Sequence, residues 1–118
     1  MAAEYTYDYA IVRVVPRVDR GEQVNVGVIL SCADTDFLDA RIEVDEALRA
    51  NLAVIPAVCK GGPDAGPLGL LPTRGRFRWL AAPRSTIVQP SPVHTGRTSD
   101  PAACLDRLMA SIVRRPAN

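Results

Sequence analysis

His94 is the single histidine of a 118-residue chain, and it stands three positions after Ser91 in the stretch APRSTIVQPSPVHTG, residues 82–96. A hydroxyl with an imidazole base is the minimum for nucleophilic catalysis. Yet no G-x-S-x-G elbow frames Ser91, and Asp100 could serve as the orienting acid only by assumption, so the spacing does not make a catalytic triad. The same stretch also gathers Arg84, Ser85, Thr86, Gln89 and Thr95. Arg84 and Ser85 could clamp an anion, with Thr86 and His94 beside it. The competing reading is that these hydroxyls satisfy the backbone of their own loop, as serine and threonine commonly do.

Other chemistries find less support. One histidine, scattered carboxylates and three widely spaced cysteines (Cys32, Cys59, Cys104) give no H-x-x-x-H, no C-x-x-C and no Asp-rich loop, so neither a metal nor a cofactor is expected. The cysteines read as buried free thiols. GGPDAGP, residues 61–67, has glycines but lacks the Lys-Ser/Thr ending and preceding strand of a phosphate loop. RGRFRW sets Arg74, Arg76 and Arg78 around Phe77 and Trp79, which could stack bases and neutralise phosphates. On a helix, Arg74 and Arg78 lie one turn apart and form a solvated face. A net charge of only +1 also argues against a nucleic-acid binder.

Elements that could hold these residues follow from periodicity. In YTYDYAIVRVV, residues 5–15, aromatic and β-branched side chains alternate, which predicts a long strand. Arg13 lies among its apolar residues, either at the sheet rim or buried against a carboxylate. QVNVGVILS at 23–31 predicts a second strand, with Asn25 and Gly27 sharing a face, and FLDARIEV at 37–44 a third. Gly27 reads as room for a neighbouring backbone or, alternatively, for a ligand. Short polar links predict an antiparallel meander. Leu48, Leu52 and Ile55 then fall on one side of a helix that Asp45 can cap and Pro56 ends or kinks. KGGPDAGP at 60–67 reads as a loop. LLPTRGRFRWLAA predicts a short helix burying Phe77 and Leu80. STIVQ at 85–89 predicts a fourth strand, and PSPVHTGRTSD reads as irregular because of its two prolines. Asp100 and Pro101 open a last helix with Leu105, Leu108, Met109, Ile112 and Val113 at helical spacing.

Three to four antiparallel strands packed by two to three helices describe an α+β two-layer sandwich, expected as a single domain over 1–118. No apolar run reaches the roughly 20 residues of a membrane span, and the N-terminus lacks a signal-peptide pattern, so a cytoplasmic protein is expected. The first strand, if an edge, could pair with a second copy.

Taken together, RGEQVNVGVIL at 20–30 and APRSTIVQPSPVHTG at 82–96 resemble a bacterial family known as a domain of unknown function, number three thousand and thirty-seven. YDYAIVRVVP at 7–16 and the Asp100 start of the last helix fit the same pattern, so the resemblance covers nearly the whole chain. It implies no established activity or catalytic set. Members are often encoded beside a kinase resembling the HipA toxin, which implies a partner or regulator of that kinase. The family's polar motif positions fall here on Glu22, Asn25, Gly27, Arg84, Ser85, Thr86, Gln89, Ser91, His94 and Thr95. The expectation is therefore a non-enzymatic interaction module using the face that bears Glu22, Asn25 and the 84–95 segment. An enzyme or binder of an anionic small molecule at Arg84–Thr95 is the alternative, and nucleic-acid binding a weaker one.

Overall fold

The computed structural model describes residues 3–14, 24–44, 52–82 and 88–114. Of the expected features, Glu22, Arg84, Ser85, Thr86, the Asp45 cap and most of the 85–89 strand lie outside those residues. The elements in order are β1 (Tyr5–Val14), β2 (Val24–Cys32), a 3₁₀ turn (Ala33–Thr35), β3 (Phe37–Ile42), α1 (Val54–Lys60), a 3₁₀ segment (Pro63–Leu70), α2 (Thr73–Ala81), β4 (His94–Thr98) and α3 (Pro101–Ile112).

The fold is α+β, built on a four-stranded antiparallel sheet in the order β3-β2-β1-β4. β1, β2 and β3 form the expected meander. β1 is central rather than an edge, because β4 returns to pair with its other side, Tyr5 facing Thr98 and Tyr9 facing His94.

Alternation along the strands gives the sheet two apolar faces. On the first, Val12, Val14, Val26 and Ile29 pack with Leu52, Ile55 and Val58 of the α1 region and with Phe77 and Leu80 of α2. On the second, Val28, Leu30 and Cys32 pack with Cys104, Leu105 and Met109 of α3, flanked by Tyr5, Tyr7 and Tyr9. Each contact is a helix layer on a sheet layer. Each large side chain so buried contributes about 1.5–3 kcal/mol.

The helices begin where their sequence allows. Asp100 accepts the Ala103 N–H (3.1 Å) at the start of α3, with Pro101 in the first turn. Pro56 is the third residue of α1, where its missing N–H costs no intrahelical bond; residues 45–51 of the helix it is expected to end or kink lie outside those described. The 60–67 stretch is more ordered than a plain loop: Gly62 donates to Gly69 O (2.9 Å), closing the 3₁₀ segment. A Cβ on Gly69 would lie 1.9 Å from the Gly62 oxygen, so the closure requires glycine.

A strand not expected from sequence lies at 94–98, while the one expected at 85–89 falls mostly on residues outside those described. Residues 89–93, just before β4, form no regular strand, as the prolines predict, yet they are tied to β1. Val88 bridges Val14, and Gln89 and Ser91 donate to Arg13 O (2.9 Å) and Ile11 O (2.8 Å). Residues 88–98 thus run along the whole of β1, with a one-residue register change between Ser91 and His94 that accommodates Pro92.

Candidate functional site

Ser91 occupies that register change. It is 5% exposed. Its Oγ accepts the Ile11 N–H (2.8 Å) and donates to Pro92 O (2.8 Å). Next to a proline that cannot donate to the ladder, the hydroxyl takes over a backbone role, and its proton and acceptor site are both engaged. Arg13 secures the same segment, donating from Nε to Gln89 O and from Nη2 to Pro90 O, both at 3.1 Å. Its partners are carbonyls, not the carboxylate considered from sequence.

A bulge decides where Asn25 lies. Val12 pairs with Gly27 but Arg13 pairs with Asn25, leaving Val26 as the extra residue. Opposed residues share a face, so Asn25 joins Arg13 on the second face while Gly27 stays on the first. This corrects the shared-face reading. Gly27 itself is a packing glycine: a Cβ there would sit 2.5 Å from Arg41 O of β3.

On the second face the register aligns Asn25, Arg13 and Gln89 in one cross-strand row, Ser91 beside Ile11 in the next, and His94 beside Tyr9 beyond it. The His94 and Tyr9 rings lie 5.1 Å apart. Asn25 and His94 are exposed, as is Val93. Tyr9 packs against the α3 cluster, and Ile11 and Arg13 beyond it are half-buried. The result is a shallow mixed polar and apolar surface.

Thr95 points the other way. Its hydroxyl donates to Asp8 Oδ1 (2.7 Å), and Arg74 Nη1 reaches Asp8 Oδ2 at 2.5 Å while its guanidinium lies 5.6 Å over the Phe77 ring. The Asp8 side chain is only 16% exposed. Asp8 was missed in the sequence, although its period-two position among Ala10, Val12 and Val14 marks a carboxylate on an apolar face. Ser31, opposite Asp8 in β2, is also buried, and its hydroxyl has no partner among the described residues.

The three arginines proposed for nucleic acid are not one surface. Arg74 holds Asp8. Arg76 donates to Val58 O (2.9 Å), Cys59 O (2.7 Å) and Leu71 O (3.1 Å), closing the end of α1. Of the three, Arg78 alone is exposed.

Among the described residues three groups are shifted upward: Arg41, chiefly by its hydrogen bond to Asp39, Tyr7 and Cys59. A hydrogen bond with the Cys104 thiol, followed by burial, pushes Tyr7 up to about 12. Burial pushes the Cys59 thiol up to about 12 as well, a protonated and inert state. Among the described residues no three His, Cys, Asp or Glu side chains converge to hold a metal ion, and no helix is long and apolar enough to cross a membrane.

A central β1 flanked by β2 and the 88–98 segment, with helices against both faces, defines a small α+β protein in which Asn25, Gln89, Ser91 and His94 line one face along β1. Over residues 9–113 the chain matches the family described as "Protein of unknown function (DUF3037)", and it belongs to that family. No curated protein and no solved structure matches it.

Proposed function

We propose that the protein is a non-enzymatic interaction module that binds and regulates a HipA-like kinase. The kinase enters through the family resemblance. The reading is supported by the second-face surface, where Asn25 and Gln89 flank Arg13 in one cross-strand row and His94 lies beside Tyr9 two rows away. The observation that carries it is Ser91: its hydroxyl is engaged at both ends by backbone, so the serine nearest the one histidine builds a surface rather than attacking a substrate. Exposed His94 adds aromatic area of the kind that anchors interfaces.

The test is co-purification of the tagged full chain with the kinase encoded beside it, followed by gel filtration of the mixture. The reading predicts a joint peak and altered kinase activity. Separate elution with unchanged kinase activity contradicts it.

A further inference from the structure

β3 is one edge of the sheet, and its pairing with β2 shows which backbone groups face outward. Glu43 donates to Val26 O (2.7 Å), in register with the pairs Ile42–Gly27, Arg41–Val28 and Asp39–Leu30. Hydrogen bonding alternates along an antiparallel pair, so Leu38, Ala40 and Ile42 turn their N–H and C=O away from β2. At the centre of this edge the outward groups are engaged locally. The Ala40 N–H donates to Asp39 Oδ1 (2.8 Å), the Ala40 carbonyl accepts from Arg41 Nη1 (3.3 Å), and Arg41 Nη1 also meets Asp39 Oδ2 (2.5 Å). Two flanking charged side chains therefore occupy the places of an incoming strand, one way in which exposed edges are kept from uncontrolled pairing.

The stretch that does this, Leu-Asp-Ala-Arg-Ile at 38–42, is symmetric about Ala40: apolar at both ends, with opposite charges inside. We propose that the β3 edge is an interface for a second copy of this chain, paired antiparallel about a two-fold axis at Ala40, so that two four-stranded sheets become one sheet of eight. Asp39 then opposes the second copy's Arg41, and Leu38 opposes the second copy's Ile42. Opposite charges placed directly across a strand pair are favourable and like charges are not. A shift by two residues in one direction sets Asp39 against Asp39, and in the other Arg41 against Arg41. Charge thus selects one register. The side chains that cap the edge in the single chain exchange partners without losing their ion pairs. A groove of about 400 Å³ lined by Ala40, Ile42, Leu52, Ala53 and Pro56 borders the edge on the α1 side, and the second copy's Leu38 meets Ile42 at its rim. The residues of β3 that pair about Ala40, Leu38 to Ile42, are few for an interface, so association depends on concentration.

This inference is independent of the kinase-binding reading. It is tested by sedimentation velocity of the full chain from low micromolar to near-millimolar concentration. The expected mass rises from 12.7 kDa to about twice that. Asp39→Arg and Arg41→Asp, each shown folded by circular dichroism, weaken the dimer by at least about tenfold. An equimolar mixture of the two restores it, because the reversed charges then meet. Independently, Ala40→Cys forms a disulfide-linked dimer on mild oxidation, since the two-fold brings position 40 to itself at bridging distance while the native thiols are buried. A wild type that stays monomeric throughout, single reversals that dimerise like wild type, a mixture that fails to reassociate, or an Ala40→Cys chain that does not cross-link would each overturn the proposal.

Discussion

Ser91→Ala removes one hydroxyl and leaves two backbone groups to find other partners. The Ile11 N–H loses its acceptor at 2.8 Å and the Pro92 carbonyl its donor at 2.8 Å, at a site 5% exposed where water cannot readily replace them. A buried donor left unsatisfied costs about 1–3 kcal/mol. The low end applies where the carbonyl of residue 91 turns into the ladder and recovers the Ile11 bond. For a chain of this length a loss of 1 kcal/mol lowers Tm by about 4 °C, so the expected decrease is about 4–12 °C. Differential scanning calorimetry measures it, and hydrogen exchange at the Ile11 amide locates it: protection there should fall more than at Val28, which pairs with Ile11 from β2. Unchanged melting with an Ile11 amide as protected as in wild type would refute the structural role and return Ser91 to the list of candidate nucleophiles.

Gly96→Ala would put a Cβ 2.5 Å from the Tyr7 hydroxyl oxygen and 2.6 Å from its Cζ. The ring must move, at a cost of about 1–3 kcal/mol, and ultraviolet titration should show the Tyr7 phenol falling from about 12 toward its ordinary value. Both Tyr7 and Cys59 have folded-state pKa values raised above their ordinary 10.0 and 9.0. The stability they contribute is therefore complete below those values and lost as pH climbs toward about 12; thermal melts should fall steadily above pH 9, and Cys59 should resist alkylation in the folded chain at pH 8. Arg76→Lys replaces a planar fork reaching Val58, Cys59 and Leu71 carbonyls with a point charge that cannot bridge them. A loss of about 1–2 kcal/mol is expected, with faster hydrogen exchange at Gly61, whose N–H closes α1 on Ala57 O.

Local periodicity carried the reading of β1, β2, β3, α2 and α3, because each has one face that must be apolar and a recognisable start. It failed where a single residue changed the count. Val26 is an extra residue in β2, and no feature of VNVGV distinguishes a bulge from strict alternation, so Asn25 was placed on the wrong face. β4 escaped for a related reason. HTGRT has no apolar alternation, since Tyr7 covers Gly96 and Thr95 bonds Asp8, and the flanking prolines signal irregularity even though the Ser91 hydroxyl repairs the ladder. The long-range partners were not legible at all. Arg13 with Gln89 and Pro90, and Arg74 with Asp8, join segments far apart in the chain, and only the strand order brings them together. Of the expected site residues, the polar set divides: Asn25, Gln89, Ser91 and His94 meet on one face, while Thr95 faces Asp8 on the other.

The central proposal is that the second-face surface around Arg13 and Tyr9 binds a HipA-like kinase. Isothermal titration of that purified kinase with the full chain tests it most directly, comparing wild type with Asn25→Ala and His94→Ala, two exposed positions that can be changed without disturbing the core. The account predicts saturable one-to-one binding by wild type and weakening of at least about tenfold, or 1.4 kcal/mol, in the variants. No heat of binding from wild type, or equal binding by all three chains, contradicts it.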